Sequence, residues 1–274
     1  MILRPNRWML VVVLASLMVL TAGCDRESSS RQETPLTIAA ASDLRFAMDD
    51  LIADFEARRP GDPSSPSIRV SYGSSGNLFA QLSQRAPFDL YFSADIAYPQ
   101  KLAEQGHALE DAVFEYAIGR IVIWVPNDSG LDVEQWQWKT LQAPGVRRIA
   151  IANPDHAPYG EAALAAVRSA GIFEEVEDRF VYGENISQTA QFIESGAADV
   201  GIIAHALAVA PDMEDEGRYW EIPLKSFPRM NQGGLITRWA SDAELAQAFR
   251  DYVLGPHGQQ ILEGYGFFLP GDDP

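Results

Sequence analysis

Leu36-Thr-Ile-Ala-Ala-Ala-Ser-Asp-Leu-Arg45 reads as an apolar strand, a run of small residues and a helix start. The same outline returns at Arg148-Ile-Ala-Ile-Ala-Asn-Pro-Asp-His-Ala-Pro-Tyr-Gly160. Each unit delivers a strand into a helix N-terminus, where exposed N–H groups and the positive end of the helix dipole hold an anion without any basic side chain. Two such starts facing one object predict a site for a small anion.

Outward from Leu36, the residues Met48, Leu51, Ile52 and Phe55 fall at helical spacing over 46–58, and 67–72 reads as a second strand. Gly73-Ser-Ser-Gly-Asn77 opens a helix through Leu78 and Leu82, and 89–94 is a third strand. The second half repeats the order: strand 148–152, helix 160–169, strand 180–182, a helix opened by Gly183-Glu-Asn-Ile-Ser187, and strand 199–204. Two lobes of the same make follow. Between them, 120–125 is a Val/Ile/Trp-rich strand ended by Pro126, and Gly233-Gly-Leu-Ile-Thr237 returns before a last helix at 242–254. Two passes between lobes predict a two-strand hinge about which rigid lobes close. The expected architecture is α/β and two-lobed, each lobe a mixed sheet flanked by helices. Lobe 1 is 36–118 plus 226–274, and lobe 2 is 119–225.

At the N-terminus, Arg4 and Arg7 precede a 13-residue apolar run, 8–20, and then Thr21-Ala-Gly-Cys24. This is the layout of a secretory signal over 1–23, and the run is short for a membrane span. Cys24 is the only cysteine, so no intramolecular disulfide can form. Its place after Leu20-Thr-Ala-Gly23 resembles a bacterial lipobox, which implies lipidation of Cys24; ordinary cleavage leaving a free thiol is the alternative. Asp25 resembles the signal that keeps lipoproteins at the inner membrane, which implies a periplasmic protein anchored to the outer leaflet of that membrane. Residues 24–35 hold nothing to bury and read as a flexible tether. The chain has 21 Lys plus Arg against 38 Asp plus Glu, a net charge of −17. That argues against nucleic acid as a partner. Repulsion of an anion is screened beyond roughly 10 Å, so the anion site is local and dehydrated.

Ala39-Ala-Ala-Ser-Asp-Leu44, Ser74-Ser-Gly-Asn-Leu78, Pro87-Phe-Asp-Leu-Tyr-Phe-Ser-Ala-Asp95, Asn153-Pro-Asp-His-Ala-Pro-Tyr-Gly160, Gly183-Glu-Asn185 and Gly255-Pro-His-Gly-Gln-Gln-Ile-Leu-Glu-Gly-Tyr-Gly-Phe267 occur in this order. Together they resemble the periplasmic molybdate-binding proteins of molybdate ABC transporters. The resemblance implies a type II solute-binding fold whose cleft holds molybdate or tungstate through neutral donors. It also implies an inner-membrane permease as partner, a monomer, no cofactor and no enzymatic activity. Carried over by position, Ser42 and Ser75 would give hydroxyl and amide donors, and Tyr159 and Ile186 main-chain amides. Asp43, Ser74 and Ala204 are further cleft positions. Many relatives have a ligand-binding tyrosine where this chain has Ala204, and the Tyr159 hydroxyl would stand in for it.

Each residue also has a plainer reading. Ser42 and Ser75 stand where Ser is a favoured N-cap. Ile186 heads a stripe with Ala190 and Ile193, which makes its side chain core. Gly73 and Gly76 permit a tight turn or a close approach. His107, His156, His205 and His257 have no metal-site spacing, and no serine sits in a Gly-x-Ser-x-Gly elbow. Asp155 and His156 beside Tyr159 are the best set for acid–base chemistry, and their neighbours suit a loop. The residues thus also admit a receptor for another oxyanion or a small organic anion and, last, a periplasmic enzyme. An all-donor pocket selects by ion radius, leaving sulfate too small to reach every donor, and rejects phosphate because its proton finds no acceptor. Asp43 is the one residue that would upset the last step.

Overall fold

The computed structural model describes residues 35–59 and 67–272. The leader, Cys24 and the tether up to Thr34 lie outside the described residues. Among the described residues, ten strands form two five-stranded sheets. The first contains β1 (Leu36–Ala41), β2 (Ile68–Gly73), β3 (Leu90–Ser93), β4 (Ala108–Gly119) and β10 (Met230–Thr237), in the order β2-β1-β3-β10-β4. The second contains β5 (Ile121–Pro126), β6 (Ile149–Ala152), β7 (Phe180–Gly183), β8 (Val200–Ala204) and β9 (Gly217–Glu221), in the order β7-β6-β8-β5-β9.

The repetition expected from the sequence is therefore a repetition of topology. In each sheet three parallel strands are followed by an antiparallel strand and an antiparallel edge. The helices of eight residues or more are α1 (Arg45–Ala57), α2 (Ser75–Ser83), α3 (Ala97–Glu104), α4 (Pro158–Ser169), α5 (Ile186–Glu194), α6 (Ala243–Leu254) and α7 (Pro256–Gly264). The stripe of α1 buries Met48, Leu51 and Phe55 beneath the first sheet, where Phe55 meets Phe249 of α6 edge to face. A separate apolar core under the second sheet is built on Val122, Ile123, Ile151, Ile202 and Ile203 with Ala163 and Val167 of α4. Burial of these aliphatic and aromatic groups drives both lobes.

The chain crosses between the sheets twice, at Arg120 and again over 222–229. The two strands expected to form the hinge lie inside the sheets: 120–125 falls in β5, paired with β8 and β9 of the second sheet, and 233–237 in β10, paired with β3 and β4 of the first, so the crossings themselves are the short segments beside them. The return pass carries a 3-10 turn, Leu224–Ser226, and is tied to the first where the Ile222 N–H donates to Ile121 O at 3.1 Å. Arg120 is pinned at the crossing: Nε donates to Gly266 O at 2.7 Å, and the guanidinium lies 4.4 Å from the Phe268 ring centroid.

Candidate functional site

The turns after the parallel strands of the two sheets meet one another, Ser42 with Ser187, Asp43 with Tyr159 and Gly76 with His156, and the carboxyl ends of the strands are the usual place for a ligand on an open α/β sheet. The candidate residues fall at those strand ends. Ser42 and Asp43 follow β1, in a 3-10 turn, Ser42–Leu44, that leads into α1. Ser74 and Ser75 follow β2; Tyr159 lies in the first turn of α4 after β6; Ile186 opens α5 after β7; Ala204 ends β8. All seven are buried.

Neither candidate serine caps its own helix. Ser74, not Ser75, occupies the N-cap of α2, and it makes no side-chain capping bond. Its Oγ lies 2.9 Å from Nδ1 of His156 in the other lobe. Ser75 Oγ accepts from Ala94 N at 3.0 Å, which ties α2 to the end of β3 and leaves the hydroxyl proton free to point elsewhere. Ser42 reaches across the cleft. Its Oγ donates to Asn185 Oδ1 at 3.2 Å and accepts from Ser187 N at 3.3 Å, while Ser187 Oγ donates to Ser42 O at 2.8 Å. A serine of the first lobe thereby caps a helix of the second, an N-terminus that Asn185 caps from within through Gln188 N at 3.0 Å.

Gly76 serves the same meeting of lobes. Its N–H donates to His156 O at 2.9 Å, and a Cβ there would lie 2.7 Å from that oxygen. Close approach of the other lobe explains this glycine, and no turn requires it. Ile186 is buried in the second core, as its stripe predicts, so only its amide faces the question of ligand binding. Ala204 pairs with Ile121 at the crossing, and the next residue, His205, donates its N–H to Arg120 O at 3.0 Å. No ligand role for Ala204 follows from its methyl group.

The Tyr159 hydroxyl is engaged within the protein. It donates to Asp43 Oδ2 at 2.9 Å, and Gln232 Nε2 lies 2.8 Å from the same carboxylate oxygen and 2.9 Å from the Tyr159 hydroxyl. Gln232 Oε1 in turn accepts from Tyr116 at 2.8 Å. Four side chains from β4, β10, α4 and the turn after β1 thus form one buried network that joins the lobes. Gly119 closes it from the side, since a Cβ there would lie 2.7 Å from Gln232 Nε2 and 2.8 Å from the Tyr159 hydroxyl oxygen. Burial pushes the Asp43 carboxyl up to about 6 against the opposing pull of its bonds to Gln232 and Tyr159 and, more weakly, of the backbone amides of Asp43 and Leu44, neither of which makes a well-formed hydrogen bond to Oδ1. Burial also lifts the Tyr159 phenol well above its ordinary value, with the Asp43 charge adding to the rise.

Gln232, Tyr116, Asn185 and Ser187 escaped the sequence reading. An N-cap signal at Asn185, just before a helical stripe, was available in Gly183-Glu-Asn185. Nothing local marks Gln232 or Tyr116, whose roles depend on strand pairing across the chain.

Four similarities bear on the whole. The chain is 28% identical over 254 residues to the molybdate-binding protein ModA of Azotobacter vinelandii, covering 93% of this chain and 98% of that protein. It is 30% identical over 200 residues to the molybdate-binding protein ModA of Rhodobacter capsulatus, covering 73% of this chain and 77% of that protein. The solved structure of the Azotobacter vinelandii periplasmic molybdate-binding protein superposes with a TM-score of 0.76 at 33% identity, covering 86% of this chain and 99% of that one. The family model for bacterial extracellular solute-binding proteins matches residues 36–268. With two sheets of the same topology and this match along almost its whole described length, the chain belongs to the bacterial extracellular solute-binding protein family.

Proposed function

We propose that this protein is the substrate-binding component of a molybdate or tungstate ABC importer and that it captures the tetrahedral oxyanion between its lobes. The observation that carries this reading is the meeting of neutral polar groups from both lobes, the Ser42 and Ser75 hydroxyls on one side and the starts of α4 and α5 on the other, where an oxyanion would take over the hydroxyl hydrogen that Ser42 gives to Asn185. Similarity to two molybdate-binding proteins supports the choice of ligand. A dianion held this way is stabilised by dipoles fixed in place, with the amides of Tyr159 and Ile186 completing the set. The lobes, 36–118 with 226–274 and 119–225, close as rigid bodies, and ligand shifts the population toward the closed arrangement. The closed face is the surface offered to an inner-membrane permease. In this reading the protein is a periplasmic monomer anchored by a lipid on Cys24, and the secretory layout of 1–23 with its lipobox-like Leu20-Thr-Ala-Gly-Cys24 supports the address.

Isothermal titration of ligand-free protein tests the reading. Tight one-to-one binding of molybdate and tungstate, with sulfate silent, is the expected result. A folded sample that gives no heat with molybdate or tungstate sinks it and leaves a receptor for another oxyanion or a small organic anion.

A further inference from the structure

Asp43 is a buried carboxyl between the lobes that is only half satisfied. Oδ2 accepts from Tyr159 and Gln232, whereas Oδ1 is buried without a hydrogen-bond partner. The other buried side-chain atoms left without partners among the described residues, Ser83 Oγ, Trp124 Nε1 and Thr140 Oγ1, belong to groups that carry no charge. An ionised carboxylate oxygen held out of water with nothing to bond is costly, and a proton on or against it removes the cost. The carboxyl follows directly on Ser42 and lies where the lobes meet, its Oδ2 bonded to Tyr159 of the second lobe.

Resting on the oxyanion reading above, we propose that Asp43 is a specificity-determining residue that makes this site bind its oxyanion together with one proton. Oδ1 either carries the hydrogen and donates it to a ligand oxygen or accepts it from a protonated ligand. The composition of the complex, dianion plus one proton, is the same in both cases. Without that proton a carboxylate and a dianion would share one dry cavity, a repulsion that low effective dielectric magnifies.

The surroundings leave Asp43 as the group that titrates. From α4 and β4 it faces the phenols of Tyr159 and Tyr116, both held protonated by burial, and from β10 the neutral Gln232. The helical turn His205–Ala208 and α5 also pack against the 3-10 turn. His205 of the former is turned away, its Nδ1 lying 2.8 Å from Arg120 and its Nε2 3.8 Å from Glu221. Glu194 of α5 lies in the field of Arg45, Asp212 and Glu216. On α1, Arg45 stacks on Phe46, and Asp49 accepts from Tyr72. No cationic side chain offsets Asp43 among the described residues. Burial already brings its carboxyl up to about 6, so a dianion alongside completes protonation near neutrality. The acceptor also removes the ground on which an all-donor pocket rejects hydrogenphosphate, leaving fit alone to reject it.

Titration of the whole protein with molybdate and tungstate between pH 7 and 8.5, in buffers of different ionisation enthalpy, counts the protons. The wild type should take up about one proton per oxyanion, and its Kd should rise about tenfold per pH unit. Asp43→Asn, of the same shape, should take up none and show a flat profile. Equal proton uptake in both proteins, or none in the wild type, overturns the proposal while the molybdate reading stands. No heat with either oxyanion from folded wild type overturns both. The wild-type proton count needs no variant, so a poorly folding Asp43→Asn cannot blur the result.

Discussion

Two buried aspartates sit near opposite ends of the first sheet and are treated differently. Asp89, just before β3, is saturated: Thr37 N and Oγ1 donate to Oδ2 at 2.6 and 2.8 Å, and Ser241 N and Oγ donate to Oδ1 at 2.6 and 2.9 Å. Asp43, just after β1 at the cleft end, has one oxygen bonded twice and the other not at all. Within one sheet, the end away from the cleft uses a carboxylate to bind strands and loops together. The cleft end holds one with unused capacity. Stability accounts for the first arrangement, and the incomplete hydrogen-bond set of the second is what the proposed oxyanion site would leave behind.

The largest way to sharpen this contrast is Asp89→Ala, which leaves two backbone amides, Thr37 N and Ser241 N, without acceptors. We expect a loss of about 3–5 kcal/mol in urea unfolding. Oxyanion affinity per folded molecule should be unchanged.

Asp43→Asn should behave in the opposite sense. A carboxyl raised from 3.8 to about 6 in the folded state weakens folding as pH climbs through that interval. The penalty is absent below about pH 4 and fully developed above about pH 6, where it reaches about 3 kcal/mol. Unfolding at pH 4.5 and pH 8 should show the variant gaining on the wild type by up to that amount at the higher pH. A constant difference would break the contrast, because Asp43 would then be as well solvated by its neighbours as Asp89 is.

Tyr159→Phe removes one donor from the Asp43 carboxylate and one link between the lobes. A hydrogen bond to a charged group contributes about 1.5–3 kcal/mol, so molybdate affinity should fall about 10- to 100-fold in calorimetry. Binding equal to the parent would mean that the network plays no part in closure. The smallest effect is expected from Asn185→Ala, which deletes an N-cap and the acceptor of the Ser42 hydroxyl. About 1 kcal/mol of thermal stability should go with the cap.

Much of this was legible in the chain because the signals are local. The stripe of α1 and the small residues after β1, β2, β6 and β7 place strand ends and helix starts within a residue or two of where they lie. β4 was missed because Glu110, Asp111 and Glu115 interrupt its alternation. Asp111 also takes a positive φ of 52°, and the register against β10 shifts twice. The chemistry of the cleft was only half visible. A serine or aspartate after a strand announces itself, but that Asp43 meets Tyr159 116 residues away follows from how two lobes face each other. The capping role expected of Ser42 is real in kind and wrong in address, since the helix it caps belongs to the other lobe.

The order β2-β1-β3-β10-β4 sets a timetable for the nascent chain. β10 is an interior strand, bonded on one side to β3 and on the other to β4, yet it lies near the end of the sequence. All five strands of the second sheet are made before it. The later-encoded lobe can therefore finish first, while the earlier one waits with β3 and β4 unpaired on their facing edges. Such edges are where intermediates aggregate. The vulnerable period of this protein's birth ends only when residues 230–237 emerge and slot between strands synthesised more than a hundred residues before.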